Sequence, residues 1–545
     1  MNAMSFPTLV VAFAFLVKAT TAFVGLAGHR TSISALGATK TFDDCDVAIM
    51  GGGFGGLYTA LAISREAKRK GKTVDVALVD PSDRFVFLPL LYDLTMGTAS
   101  EQEVCPTYQE LLEGTGIRYI QASFDGFSNE SEKIKEALLK SAAKDDTEIN
   151  LSFQTSVVAV GATPQSILES VPGASEFAQP FYTKDDAYTT RELLFKMEQK
   201  IRQGETPKIA IVGGGYGGVE LSACVSRRLP DASVTLLSRS APMSGTRAES
   251  LVGQALKKLG VTCEMGIIEE IRQSENKRFV VKRSSLEEST DDSNSETEFD
   301  AILWTAGSGP AYPVSKDLGG NLAFSPSGRL KVDKTLRCSF DQDESASLPS
   351  VWALGDCSEI LPAIEPAIPR TAQAAMQQAD VVASNVLLAL SNQKGTMEFE
   401  FQDLGSMLTL GGPNAALLGP QEGSQIAPLL VPLLDTARVG LGVADTIFAG
   451  IVNSPQVDKN GDLKPVVENL GLSLGGYGLG VDPDSTPGTL SGTLTGAGRR
   501  AIYALRMPTN KQRVYAGASA VLSSAAALAK EAADQIERNS GDKRR

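Results

Sequence analysis

Histidine is almost absent from this 545-residue chain: there is one, His29. It lies in a stretch with the composition of a removable leader. Without that stretch the protein has no histidine, which excludes Ser-His and Cys-His catalysis and imidazole metal ligation. Cysteine is scarce and unpaired. Cys45, Cys105, Cys224, Cys263, Cys338 and Cys357 contain no Cys-x-x-Cys pair. That argues against a zinc site and a redox-active disulfide, and for buried or free thiols in a reducing compartment. Positive charge is also in deficit. The net charge of −13 argues against a nucleic-acid partner. It leaves contact with an anionic membrane open, through a local basic patch. What remains is ordinary: 42% apolar and 21% charged residues, at a length that calls for two or three domains.

Residues 1–28 carry no acid, and Leu9 to Val17 is continuously apolar. That run is too short to span a bilayer and reads as a signal-peptide core. Small residues follow at Ala19 to Ala22, then Phe23. Up to Phe42 the chain is acid-free, with His29, Arg30, Lys40 and several Ser and Thr. Residues 1–42 are therefore expected to be a bipartite signal and transit leader, of the kind that addresses proteins to complex secondary plastids. A simple secretory signal is the alternative.

Two segments carry a nucleotide-binding pattern. Asp46 to Met50 reads as a buried strand. It runs into Gly51-Gly-Gly-Phe-Gly-Gly56, a helix from Leu57 to Lys70, and a second strand ending at Asp80. In this pattern Gly51 makes the tight turn and Gly53 lets a pyrophosphate approach the backbone. Gly56 lets helix and sheet pack closely, and Asp80 accepts from ribose hydroxyls. Phe54 and Gly55 sit between them. The pattern recurs from Lys208: a strand, Gly213-Gly-Gly-Tyr-Gly-Gly218, a helix toward Arg228, and a strand from Ser233 to Ser238. Gly213, Gly215, Tyr216, Gly217 and Gly218 are its loop. Two intact units imply two dinucleotides, most simply FAD and NAD(P)H; one site plus a decayed copy is the alternative. At the position of Asp80 the second unit has Ser238, followed by Arg239. Losing the acid removes repulsion toward a 2′-phosphate, and the arginine offers it a partner. NADPH is therefore expected to be accepted alongside or ahead of NADH.

Further strands at Ser156–Val160 and Phe299–Trp304 run into small-residue loops, and Ser350 to Asp356 ends in Gly-Asp. With Arg84-Phe-Val-Phe-Leu-Pro-Leu-Leu-Tyr92, Thr371-Ala-Gln-Ala-Ala-Met-Gln377 and Gln402-Asp-Leu-Gly-Ser-Met-Leu-Thr-Leu-Gly411, the chain resembles the type II NAD(P)H:quinone oxidoreductases. The likeness is greatest to the plastid branch. It spans about residues 44–412 and resumes near Arg499–Pro508. The resemblance implies an α/β fold with two Rossmann-like dinucleotide-binding domains and a C-terminal membrane-associating region. It implies two-electron transfer from NADPH or NADH through FAD to a membrane quinone, of plastoquinone or naphthoquinone type, without proton pumping. It places Arg84, Ala162, Asp356, Ala372 and Gln373 in the FAD site and Gly307 in the NAD(P)H site. Glu220 is expected near flavin and nicotinamide, in positioning or proton supply. Gln373 and Gln377, four apart on one helix face, are expected to offer amides to a quinone. No metal is expected.

The expected organisation is a FAD-binding domain over 43–200 and 331–412, an NAD(P)H-binding domain over 201–330, an insertion over 413–498 and C-terminal helices over 499–545. Glu287 to Glu298 and Asp341 to Ser347 read as acidic surface loops. The insertion departs from the family pattern, and charges at Asp435, Arg438 and Asp445 keep its apolar runs from reading as a transmembrane helix. The helix expected over Tyr515–Arg538 has basic ends and suits contact with one membrane leaflet, at a thylakoid or plastoglobule. A homodimer is one option. Two rivals stay open: a soluble reductase with a protein acceptor, and an NAD(P)H-sensing flavoprotein that is not an enzyme.

Overall fold

A computed structural model describes residues 40–522, except 129–135, 143–146, 164, 285–294, 308, 312–317, 320, 341–350, 365–366, 394, 412–413, 419–454, 458–462 and 466–488. The leader before residue 40, the loop at 341–347, the apolar runs of the insertion and the chain beyond 522 lie outside the described residues.

Strand β1 (Lys40–Met50) is followed by the first glycine loop, helix α1 (Phe54–Arg69) and β2 (Val76–Asp80). Val47 to Met50 and Val76 to Val79 are each at most 1% exposed. Continuous apolar runs of this kind suit a parallel sheet covered on both faces. Leu57, Ala60, Ile63 and Ala67 give α1 one buried stripe, and Lys68 and Arg69 suit its C-terminal dipole. A short helix α2 (Leu91–Met96) and strands β3 (Arg118–Phe127), β4 (Glu136–Ser141) and β5 (Glu148–Val158) complete the first part. β1 starts inside the stretch assigned to the leader: Lys40, Thr41 and Phe42 pair with Ile149, Asn150 and Leu151. The first sheet therefore already includes Lys40 to Phe42.

The next segments build a second sheet. They are β6 (Gln179–Pro180), helix α3 (Lys184–Arg202), β7 (Lys208–Val212), helix α4 (Tyr216–Arg228), β8 (Ser233–Ser238) and β9 (Thr262–Met265). An antiparallel trio follows, β10 (Ile267–Gln273), β11 (Phe279–Ser284) and β12 (Ser295–Phe299), then β13 (Ala301–Trp304). The second sheet is wholly parallel, in the order β9-β8-β7-β13-β6. Because β6 already belongs to it, the crossing falls before residue 179 and not at 200. Two sequence readings are corrected here. The end of the acidic stretch, Ser295 to Glu298, is not loop but strand β12. The strand read as Phe299–Trp304 is broken at Asp300, whose carboxylate accepts from Lys200 Nζ at 2.6 Å and Lys208 N at 2.8 Å.

The chain then returns to the first sheet with β14 (Val351–Ala353), which pairs parallel to β5. The parallel order is β3-β2-β1-β5-β14, with β4 antiparallel between β3 and β5. Helix α5 (Ala372–Leu390) packs on α1. Strands β15 (Ser406–Thr409), β16 (Ala415–Leu418) and β17 (Thr489–Gly492) form an antiparallel sheet, and helix α6 (Thr493–Arg506) follows. Ala415 pairs with Gly492, so the insertion leaves and re-enters side by side. Residues 510–522 are helical, so this last helix starts ahead of the expected Tyr515. No described helix is long and apolar enough to cross a membrane.

Candidate active site

The two glycine loops repeat one device. Gly51 and Gly213 have φ of +101° and +123°. A Cβ on Gly56 would stand 1.8 Å from Gly51 O, and one on Gly218 would stand 1.7 Å from Gly213 O. Only glycine permits these close approaches. Gly53 and Gly215 have nothing within 4 Å of a built Cβ, so each loop has an open side where a phosphate can meet backbone N–H groups. This geometry fits a dinucleotide at both loops.

A continuous cleft of about 1740 Å³ runs along the first loop and across to α4. Gly53, Phe54 and Gly55 line it, with Asp80, Arg84 and Ala162. Asp356, Ala372, Gln373, Tyr216 and Glu220 line it as well. Of the expected FAD residues, Gly51 and Gly56 shape the loop from beneath. Of the expected NAD(P)H residues, Gly213, Gly215, Gly217, Gly218, Ser238, Arg239 and Gly307 lie outside this cleft, around the second loop. Ser238 Oγ donates to Ser240 O at 2.7 Å, and Arg239 is exposed.

Asp80 is already at work within the protein. Its carboxylate accepts from Gly52 N at 2.6 Å and Ser82 N at 2.8 Å, so it fixes the loop it faces. Burial raises its proton affinity; those two N–H groups and Tyr108 oppose the rise. Asp356 sits on a short 3-10 turn. Its carboxyl is raised by burial and drawn down by Arg370 and Arg329. Arg84 lines the cleft but is engaged by Glu101, at 2.7 Å.

Glu220 is 6% exposed. Burial pushes its carboxyl up to about 7, against the pull of Arg499, the Thr409 N–H at 2.8 Å and the Tyr92 hydroxyl. Asp93 adds to the rise. Such a group exchanges protons at neutral pH. Gln373 and Gln377 do share one face of α5, but their amides are committed to backbone. Gln373 bonds Gly405 O and Leu404 N, and Gln377 bonds Gln402 O and Gln402 N. Gln377 does not line the cleft.

Sequence reasoning missed the partners of Glu220: Tyr92, Thr409, Asp93, Arg499 and Tyr503. Arg499 donates to Asp93 Oδ2 at 2.7 Å and Pro89 O at 3.1 Å, and its guanidinium lies 5.4 Å from the Tyr503 ring centre. Arg500 pairs with Glu103 at 2.7 Å. All four of these charged side chains are buried. Two adjacent arginines in the middle of a helix were the available signal, and buried acids on α2 and just after it complete the pairs. None of the six cysteines is in a disulfide, and five are buried. Burial pushes Cys45, Cys105 and Cys224 up to about 12, so they stay as thiols. No metal-binding cluster occurs among the described residues.

Two Rossmann-like sheets, two intact glycine loops and one shared cleft define a two-dinucleotide flavoprotein. Residues 45–379 match the pyridine nucleotide-disulphide oxidoreductase family. The chain is 34% identical over 395 residues to the alternative NAD(P)H-ubiquinone oxidoreductase C1, chloroplastic/mitochondrial, of Arabidopsis thaliana, covering 68% of this chain and 72% of that one. It is 31% identical over 374 residues to the demethylphylloquinone reductase NdbB of Synechocystis, covering 68% and 86%. Among solved structures, NDH2 from Plasmodium falciparum superposes with a TM-score of 0.56 at 16% identity, covering 72% of this chain and 95% of that one. The chain belongs to the type II, or alternative, NAD(P)H:quinone oxidoreductases, a branch of that family, and is an FAD-dependent enzyme.

Proposed function

We propose that this enzyme transfers two electrons from NADPH or NADH to a membrane quinone of naphthoquinone or plastoquinone type. The observation that carries the reading is the single cleft shared by the first glycine loop, Asp356, Gln373 and Glu220. Bound FAD would supply the two-electron chemistry that links the nicotinamide to the quinone. The chain's own residues do the rest. Gly53 and Gly55 present backbone to the pyrophosphate, Asp80 and Asp356 hold hydroxyls, and α1 offers its N-terminal dipole. On α4, Tyr216 and Glu220 border the nicotinamide side. Glu220, poised near neutrality, stores and releases a proton for quinol formation, steadied by Tyr92.

The name of the cyanobacterial relative, a demethylphylloquinone reductase, favours a naphthoquinone acceptor. The Arabidopsis relative's name, chloroplastic/mitochondrial, allows a plastid setting, which the basic, acid-free leader favours. Membrane seating is read from the C-terminal helices. Ile502, Leu505, Val514, Tyr515, Val521 and Leu522 are exposed there, Leu505 and Leu522 at 71% and 72%. Such a face suits one leaflet of a thylakoid or plastoglobule membrane. Deleting 499–545 would not remove an anchor alone, because it strips Arg499 and Arg500 from buried acids. The cleaner experiment is Leu505→Ser with Leu522→Ser in vesicle flotation with a quinone-reductase assay. The double variant should leave the vesicles and keep activity toward a water-soluble quinone. Undiminished flotation would overturn the seating, and absence of NAD(P)H-dependent quinone reduction by the wild type would overturn the function.

A further inference from the structure

The chain from Gln402 to Leu410 is held almost step by step by side chains of two helices. From α5, Gln377 Nε2 donates to Gln402 O at 2.9 Å while its Oε1 accepts from Gln402 N at 3.0 Å. One turn earlier, Gln373 Nε2 donates to Gly405 O at 3.0 Å and its Oε1 accepts from Leu404 N at 3.1 Å. From α4, the Tyr216 hydroxyl meets Ser406 Oγ at 3.0 Å, and Glu220 accepts from Thr409 N at 2.8 Å. Arg227 Nε then donates to Leu410 O at 3.2 Å. Gly411 ends the run against α4, where a Cβ would stand 2.4 Å from Ala223 O.

The residue types suit the task. A primary amide carries a donor and an acceptor side by side, as a peptide unit does. Two of them one helical turn apart make two rungs of a ladder against backbone. An ionised carboxylate cannot donate, and an aliphatic side chain can do neither. Tyr216 and Glu220 repeat the four-residue spacing on the facing helix. The segment thus spans from the helix that opens at the second glycine loop to the helix beside Asp356.

We infer that residues 402–410 are a strap coupling the NAD(P)H-side helix α4 to α5, the helix that the family resemblance sets against the quinone, with Gln373 and Gln377 as positioning residues that hold it. The assignment of sides rests on the function proposed above. Any shift of the α4 N-terminus on nicotinamide binding reaches α5 through a segment fixed at both ends. A ligand role for the glutamines predicts damage to quinone binding alone. A strap predicts damage to both half-reactions, with loosened backbone between.

The test uses the FAD-loaded full chain and the variants Gln373→Leu, Gln377→Leu and Ser406→Ala. The last removes one hydroxyl from the strap and leaves both glutamines in place. Amide hydrogen exchange over residues 402–410 should rise about fivefold for each strap bond lost. Flavin reduction by NAD(P)H without quinone should slow in both glutamine variants. The quinone KM should rise in Ser406→Ala, although that residue bonds the NAD(P)H-side helix. Unchanged exchange overturns the strap. Raised exchange with unchanged flavin reduction overturns the coupling, as does a rise in quinone KM confined to the glutamine variants. Exchange is read without turnover, so a failed quinone assay in the wild type would count against the function and leave the strap to be judged by exchange.

Discussion

Glu220→Gln should stabilise the folded protein at pH 8 and leave its stability unchanged near pH 4. Burial raises the Glu220 carboxyl from its ordinary 4.5 to about 7. Below 4.5 the group is protonated in both folded and unfolded chains and contributes nothing. Between 4.5 and 7 the unfolded chain ionises while the folded one keeps its proton, so stability falls as pH rises. Above 7 the penalty is complete, at about 3 kcal/mol, since each tenfold change in proton affinity is worth ~1.4 kcal/mol. Glutamine keeps an acceptor for the Thr409 N–H and does not ionise. A domain pair of this size melts with an entropy near 1 kcal/mol per kelvin, so the gain at pH 8 is about 3 °C. Melting curves of both FAD-loaded proteins between pH 4 and 8.5 test this. A melting difference that stays flat across that range would refute the buried, neutral-poised acid. The same substitution should remove the inflection near pH 7 from the rate of flavin reoxidation by quinone.

Gly218→Ala sets a Cβ 1.7 Å from Gly213 O; the variant should retain FAD and lose reduction by NAD(P)H, read by flavin absorbance with and without donor. Wild-type enzyme should use NADPH at least as well as NADH, and Ser238→Asp should cut kcat/KM for NADPH by about tenfold or more relative to NADH, since a carboxylate there repels the 2′-phosphate. Strict NADH selectivity in the wild type would remove that argument. Arg499→Met leaves Asp93 buried without its closest cation and should cost about 3–5 kcal/mol in chemical denaturation; a loss under 1 kcal/mol would show the pair to be dispensable.

Local spacing made much of the fold legible. Strand, glycine loop, helix and strand follow one another within each unit, so the turns at Gly51 and Gly213 and the acid at Asp80 could be placed by counting. Asp356 was placed by the family resemblance, since a short apolar strand ending in Gly-Asp does not by itself mark a flavin site. The Glu220 environment was not. Tyr92, Thr409 and Arg499 reach it from α2, β15 and α6, which meet only once the chain has folded. Gln373 and Gln377 were found by their motif, yet their partners at 402–405 follow from the path of an irregular segment with no periodicity to read. Ser295 to Glu298 misled because charge and serine suggest a loop. Pairing with β11, with Glu296 bonded to Arg272 at 2.6 Å, makes it a strand edge.

The most direct test of electron flow from nicotinamide through FAD to quinone is one anaerobic mixing sequence. NADPH or NADH is added to the FAD-loaded enzyme in stoichiometric amount, and then a naphthoquinone or plastoquinone analogue. The account predicts loss of the oxidised flavin absorbance on the first addition and its full return on the second, with one quinol formed per nicotinamide consumed. A flavin that the donor fails to reduce, or that stays reduced in the presence of quinone, would contradict it.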